Sequence, residues 1–172
     1  MGSYVVLQLH INPISKMVSV KQLILSSLPA LSLAAPAVES TDSPEGAIAV
    51  AEFPEGGSHS VSGSVKFSGL KNGSVQVDVD LKGLPSSGGP FLYHIHEAAV
   101  PSNGSCAATL AHFNPNHGNA TACPSQGNNA LCEAGDLSGK HGKIDSTEAK
   151  LTYVEPFISL NSKSPYYFAD GK

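Results

Sequence analysis

Apolar and polar residues alternate most strictly over Val75-Gln-Val-Asp-Val-Asp-Leu81, valines and leucine on one face, polar side chains on the other. A period of two sends successive side chains to opposite sides of an extended chain, so the stretch predicts a half-buried antiparallel strand. Short strand-like runs cover residues 47–53, 60–67, 74–81, 91–96 and 150–157. Pro54-Glu-Gly-Gly57, Gly69-Leu-Lys-Asn-Gly73 and Pro85-Ser-Ser-Gly-Gly-Pro90 punctuate the first four, at the turn spacing of a sandwich or barrel. After the N-terminal segment no stretch repeats with a helical period. The pattern predicts an all-β protein with antiparallel strands, and 172 residues suffice for one domain with a real core.

The first 37 residues carry a different pattern. From Met17 the chain reads Met-Val-Ser-Val-Lys21, then an apolar run over 23–33, then Ala34-Ala35-Pro36-Ala37. A charged start, an apolar centre and small residues at a cleavage point predict a secretory signal peptide beginning at Met17, behind an extension of residues 1–16. The run is too short to cross a bilayer, and nothing after residue 37 is long and apolar enough to do so. Removing residues 1–37 takes away Lys16 and Lys21 and no acid, so the net charge moves from −4 to −6. Residues 38–46, rich in Ser, Thr, Asp, Glu and Pro, read as a disordered leader to a domain over 47–172.

Composition narrows the partners. Seventeen glycines, twelve prolines and no tryptophan suit a turn-rich β protein. All ten basic residues are lysines, none in a run, which argues against nucleic acid as partner. Asn72, Asn103 and Asn119 begin Asn-X-Ser/Thr sequons in loop-like sequence, as glycan acceptors of an exported protein must. In an oxidising compartment Cys106, Cys123 and Cys132 are expected in disulfides, and their odd number leaves one without a partner in this chain.

The candidate chemistry starts in Phe91-Leu-Tyr-His94-Ile-His96-Glu97. On a strand His94 and His96 share a face, roughly 7 Å apart. An H-x-H pair reads as two solvent-facing polar residues or as half of a metal site. The next forty residues favour the metal site. Residues 97–140 form a long loop rich in Gly, Asn, Ala, Pro and Ser, holding all three cysteines with His112, His117, Glu133 and Asp136. A loop of that length without secondary structure is rare unless it carries function. Neutral imidazoles without a nearby thiolate fit copper or a catalytic zinc, and residue chemistry leaves both open. Of the other histidines, His59, His117 and His141 read as surface residues, with His141 able to bond the loop it closes, and His10 precedes Met17.

The order Tyr-His94-Ile-His96-Glu, Gly104-Ser-Cys106, Ala111-His112-Phe-Asn-Pro115 and Gly135-Asp136-Leu-Ser-Gly139 resembles the metal-loop signature of the Cu/Zn superoxide dismutase family over roughly residues 47–168. The resemblance implies an antiparallel Greek-key β-barrel or sandwich. It implies that His94, His96 and His112 are catalytic copper ligands and that Cys106 is half of a loop-anchoring disulfide. Two departures stand out. Glu133 occupies the place of a zinc-ligand histidine, and His117 follows His112 by five residues rather than eight. The chain therefore looks most like the secreted copper-only superoxide dismutases of fungi, with copper and without zinc as cofactor. In those proteins loop acids do by hydrogen bonding what zinc does elsewhere, and Glu133 and Asp136 are the candidates to hold His112 that way. Cys123 and Cys132 enclose a short Gly/Asn-rich loop, expected to be closed by a local disulfide.

Family members continue past the position of Lys172 with a strand carrying a fourth histidine ligand, an arginine and the partner of Cys106. The expectation is thus a C-terminally truncated chain lacking its last strands, weakly active or inactive by itself. The implied function is disproportionation of superoxide to oxygen and hydrogen peroxide outside the cell, with cell-wall or surface association. Lys140 or Lys143 is the expected local attraction for the anion. The alternative is a non-catalytic secreted copper-binding or adhesive domain of the same fold.

Overall fold

The computed structural model describes residues 7–10, 37–55, 60–119, 123 and 129–169, the first four by their backbone. Met17, the apolar run over 23–33 and His59 lie outside the described residues. In chain order the strands are β1 (Leu7–His10), β2 (Ile48–Phe53), β3 (Ser62–Gly69), β4 (Val75–Lys82), β5 (Leu92–Ile95) and β6 (Glu148–Glu155). Four of them form one antiparallel sheet in the order β2-β3-β4-β6. From β4 the chain leaves that sheet, builds β5 and the long loop, and returns as β6 beside β4. β1, from the stretch read as an extension ahead of Met17, pairs antiparallel with β5, Leu7 opposite Ile95.

The alternation predicted for 74–81 fixes the inner face. Val75, Val77, Val79 and Leu81 of β4 are buried, as are Val65 and Phe67 of β3 and Ala49 and Ala51 of β2. Phe91, Tyr93 and Ile95 from β5 and its approach join the same cluster. The core therefore lies between the four-stranded sheet and β5. One inward position breaks the pattern: Glu155 pairs with Val75 across β4 and β6, and its side chain is fully buried.

The predicted strands lie within two residues of those observed. The segment 38–46, expected as a disordered leader, is instead bonded into the fold. Its backbone N–H groups at Ser40, Ser43 and Gly46 donate to the carbonyls of Pro156, Gly73 and Gly69 at 2.6, 3.0 and 2.9 Å. Asp42 accepts from the Ser159 hydroxyl at 2.7 Å, and Ser43 Oγ accepts from Leu160 N–H at 3.1 Å. Contact is close: a Cβ on Gly69 would stand 2.1 Å from the Pro44 carbonyl oxygen. Low hydrophobicity argued for disorder, but short polar side chains and backbone donors satisfied one by one hold the segment without an apolar face. Among its described residues the long loop also has structure of its own, 3-10 turns at Cys106–Thr109 and Asn129–Leu131 and a short helix α1 (Leu137–His141). A five-residue helix is too short to show a period; Asp136 starts it by accepting from Gly139 N–H at 2.7 Å.

Candidate metal centre

β5 ends between the two histidines of the H-x-H pair, and Ile95 between them points into the core. The loop returns antiparallel along that end. Ala98 and Glu97 donate to the carbonyls of Thr109 and Ala111 at 3.1 and 3.0 Å, His96 bridges His112, and Phe113 donates to Ile95 at 2.9 Å. Main-chain pairing thus delivers His112 beside the pair. Its ring stacks on His94 with centroids 4.0 Å apart and stands edge-on to His96 at 5.3 Å. One ligand atom from each of the three lies within 4.8 Å of the others. Two nitrogens each about 2.0–2.1 Å from one ion stand at most about 4.2 Å apart, so the cluster fits a metal after a few tenths of an ångström of closure.

Each ring is held through its far nitrogen, which decides where its lone pair goes. His112 Nδ1 donates to Glu133 Oε2 at 2.6 Å. His96 Nδ1 lies 3.1 Å from the Leu110 carbonyl and 3.0 Å from Thr109 Oγ1, whose own proton goes to the Cys106 carbonyl. His94 Nε2 lies 3.3 Å from Asp136 Oδ1 and 3.1 Å from Ser138 Oγ. Carbonyls and carboxylates only accept, so these nitrogens carry the protons. The lone pairs then sit on Nδ1 of His94 and on Nε2 of His96 and His112. Fixing the tautomer through the far nitrogen is the usual preparation of an imidazole ligand.

The two carboxylates share one turn. Gly135 accepts from Ile95 N–H at 2.9 Å and donates to the Phe113 carbonyl at 2.7 Å, so the turn is stitched to both histidine segments. Burial pushes the Asp136 carboxyl up, but the bonds from His94 and Gly139, with the charges the His94 and His112 rings carry when protonated, outweigh it, leaving the group below the ordinary carboxylate value. Behind the turn lies a buried ion pair. Lys140 Nζ, on α1, reaches Glu155 Oε2 and the Ala134 carbonyl, each at 2.8 Å, and both side chains are sealed from solvent. His141 Nε2 donates to the same carboxylate oxygen at 2.8 Å, and Phe157 N–H to the other at 2.9 Å. Burial pushes the Glu155 carboxyl up, yet the Lys140 charge and the His141 bond win and hold it down.

Of the residues predicted as a site, His94, His96, His112, Glu133 and Asp136 come together. Three expectations need correction, for Asp136, Lys140 and His141. Asp136 lies against His94 rather than His112, because capping α1 turns its carboxylate toward β5. Lys140 is buried against Glu155 and offers nothing to an anion in solvent, whereas Lys143 is exposed. His117 is exposed, outside the three-histidine cluster. His141, read as a surface residue, is mostly buried, stacked on Tyr153 with centroids 3.8 Å apart. Cys123 and Cys132 are disulfide-bonded, Cys106 is a free, exposed thiol, and Asn72, Asn103 and Asn119 are all exposed. Sequence reasoning missed Thr109, Leu110, Ser138 and the Lys140–Glu155 pair. A backbone carbonyl leaves no sequence signal, but Glu155 did leave one, a charge at an inward strand position.

Comparison with known proteins agrees with this geometry. The sequence model of the copper/zinc superoxide dismutase family matches residues 61–171. Cell surface Cu-only superoxide dismutase 5 of Candida albicans is 44% identical over 147 residues, 86% of this chain and 63% of the relative. Cell surface superoxide dismutase (Cu-Zn) 6 of the same organism is 49% identical over 124 residues, 72% of this chain and 39% of the relative. The chain thus spans less than two thirds of the length of these relatives. A solved structure of Candida albicans superoxide dismutase 5 with Cu(II) superposes with a TM-score of 0.65 at 41% identity, covering 77% of this chain and 80% of that one.

Proposed function

We propose, from the premise that the chain belongs to the copper/zinc superoxide dismutase family, that His94, His96 and His112 hold one copper ion and that the protein disproportionates superoxide outside the cell. The observation that carries the reading is the convergence of three imidazoles, each with its far nitrogen bonded to a protein acceptor. A set of neutral imidazoles without thiolate suits copper, and relatives named as Cu-only support that choice. Zinc has little to hold it beside this cluster: His112 Nδ1–H is engaged in donating to Glu133, and His117 stands apart.

When bound, copper supplies the one-electron couple through which one superoxide is oxidised to oxygen and a second, with two protons, is reduced to hydrogen peroxide. The chain's own part is geometric and electrostatic. Glu133 and Asp136 keep the His112 and His94 rings in one tautomer and one orientation. Thr109 and Leu110 do the same for His96 with neutral acceptors. Lys143, at the end of the loop, is the exposed cation nearest in sequence to the turn and is assigned to drawing in the anion.

The signal-like stretch over 17–37, three exposed sequon asparagines and the Cys123–Cys132 disulfide support export to the cell surface. The cell surface relatives point the same way. The test is metal content and turnover together. Metal-free protein offered equimolar copper and zinc should retain one copper and little zinc by elemental analysis. The full-length protein should then disproportionate superoxide above free-copper controls. One zinc per chain would overturn the copper reading, and copper bound without turnover would make this a copper-binding domain instead.

A further inference from the structure

A lysine–glutamate pair sealed from solvent is a costly way to hold two elements together, since both charges give up water. Burial pulls the Lys140 ammonium below the ordinary lysine range, and the neighbouring Glu155 carboxylate works against that. Pairs of this kind add little stability over an apolar filling, so their retention points to placement. Here the placement is specific. Glu155 is fixed at the end of β6 by Phe157 N–H and by His141, which itself stacks on Tyr153. The ammonium then passes the constraint on, donating to the carbonyl of Ala134, a fully buried residue. Ala134 lies between Glu133, which holds His112, and Gly135-Asp136, which hold β5 and His94.

We propose that Lys140, anchored by Glu155, is the positioning residue for the two carboxylates of the centre. It sets the 133–136 turn from behind and so orients His112 and His94, while His96 is oriented independently by Thr109 and Leu110. The turn is pinned on its inner side by main-chain bonds to Ile95 and Phe113 and on its outer side by the ammonium. With the outer pin gone, the Ala134 carbonyl is left buried without that donor, and the turn shifts to find water or another partner. Both carboxylates ride on that shift. The expected effect is asymmetric: two imidazoles change and the third does not, which a general loss of stability would not produce.

The proposal rests on the copper reading only for its affinity arm; the imidazole arm needs no metal. The probe is the metal-free chain labelled with 15N-histidine, read by NMR for the three ring N–H groups. In Lys140→Met/Glu155→Gln both charges go together, so no unpaired buried charge remains. His112 Nδ1–H and His94 Nε2–H should exchange with solvent faster than in wild type, with His96 Nδ1–H unchanged, and copper affinity should fall about 10–100-fold. Glu155→Asp keeps both charges but draws the ammonium away from Ala134 by about one carbon–carbon bond, roughly 1.5 Å. It should show the same asymmetry in weaker form and keep the proposal testable if the double variant does not fold. Three unchanged rings in a folded variant overturn the proposal, and so do three rings altered alike. If wild type binds no copper yet the asymmetry appears, the positioning stands and the copper reading fails.

Discussion

Replacing Leu110 by glycine and, separately, by alanine tests whether the His96 orientation rests on a strained backbone. Leu110 ends the first 3-10 turn with φ 63° and ψ −147°, and its carbonyl faces His96 Nδ1. That region is essentially reserved for glycine, and a residue with a Cβ held there costs of order 1–3 kcal/mol. The side chain is 64% exposed, so truncation forfeits only about a third of the roughly 1.5–3 kcal/mol a buried leucine is worth, the same for both variants. Glycine relieves the strain but returns about 0.4–1 kcal/mol of unfolded-chain freedom. Leu110→Gly should therefore be more stable than Leu110→Ala by about 1 kcal/mol in urea unfolding at constant m-value. At an unstrained exposed site the order is reversed, with alanine ahead by about 0.4–1 kcal/mol. Finding Leu110→Ala equal or more stable would refute the strain, and with it the idea that the His96 orientation rests on a strained backbone.

Three other outcomes are expected. Glu133→Ala should lower copper affinity about 10–100-fold in competition titrations, because the His112 ring loses the acceptor that fixes it; unaltered affinity would remove Glu133 from the centre. In the metal-free chain the depressed Asp136 carboxyl contributes stability that is complete above its unfolded value near 3.8 and fades as pH falls through the lower folded value. Denaturation midpoints of wild type and Asp136→Asn should thus converge on the acid side, and a constant gap at every pH would contradict the shift. Gly69→Ala drives a Cβ against the Pro44 carbonyl, so it should cost about 1–3 kcal/mol and open residues 38–46 to limited proteolysis; wild-type protection would mean the segment is not packed there.

The strands were readable because β4 spells its burial out in the sequence: one apolar side chain at every second position from Val75 to Leu81. The histidine cluster was readable because strand geometry and an ordered motif both constrain it. What sequence hid was of another kind. The partners of His96 are a hydroxyl and a main-chain carbonyl, set by loop torsions that no residue pattern encodes. Asp136 was assigned to the wrong ring because its direction depends on its role in starting α1, a helix too short to be seen. Segment 38–46 looked unstructured by composition, yet its order comes from hydrogen bonds to residues distant in sequence, from Gly69 and Gly73 to Ser159 and Leu160 more than a hundred positions away. Lys140 read as a surface charge because its burial depends on a glutamate fifteen positions later that faces inward.

That clasped segment has a practical side. The residue just ahead of it, Ala37, donates its N–H to the Ala130 carbonyl at 2.7 Å, two residues before Cys132 and three before Glu133. A dye carried at residue 38 therefore sits beside the 129–131 turn of the metal loop rather than on a remote tail. Its emission becomes an optical reporter of how tightly the loop is seated as ions enter and leave. Expression boundaries drawn at residue 47, where the first strong β pattern begins, would discard that handle together with the bonds that tie residues 40–46 to Gly69, Gly73, Pro156, Ser159 and Leu160.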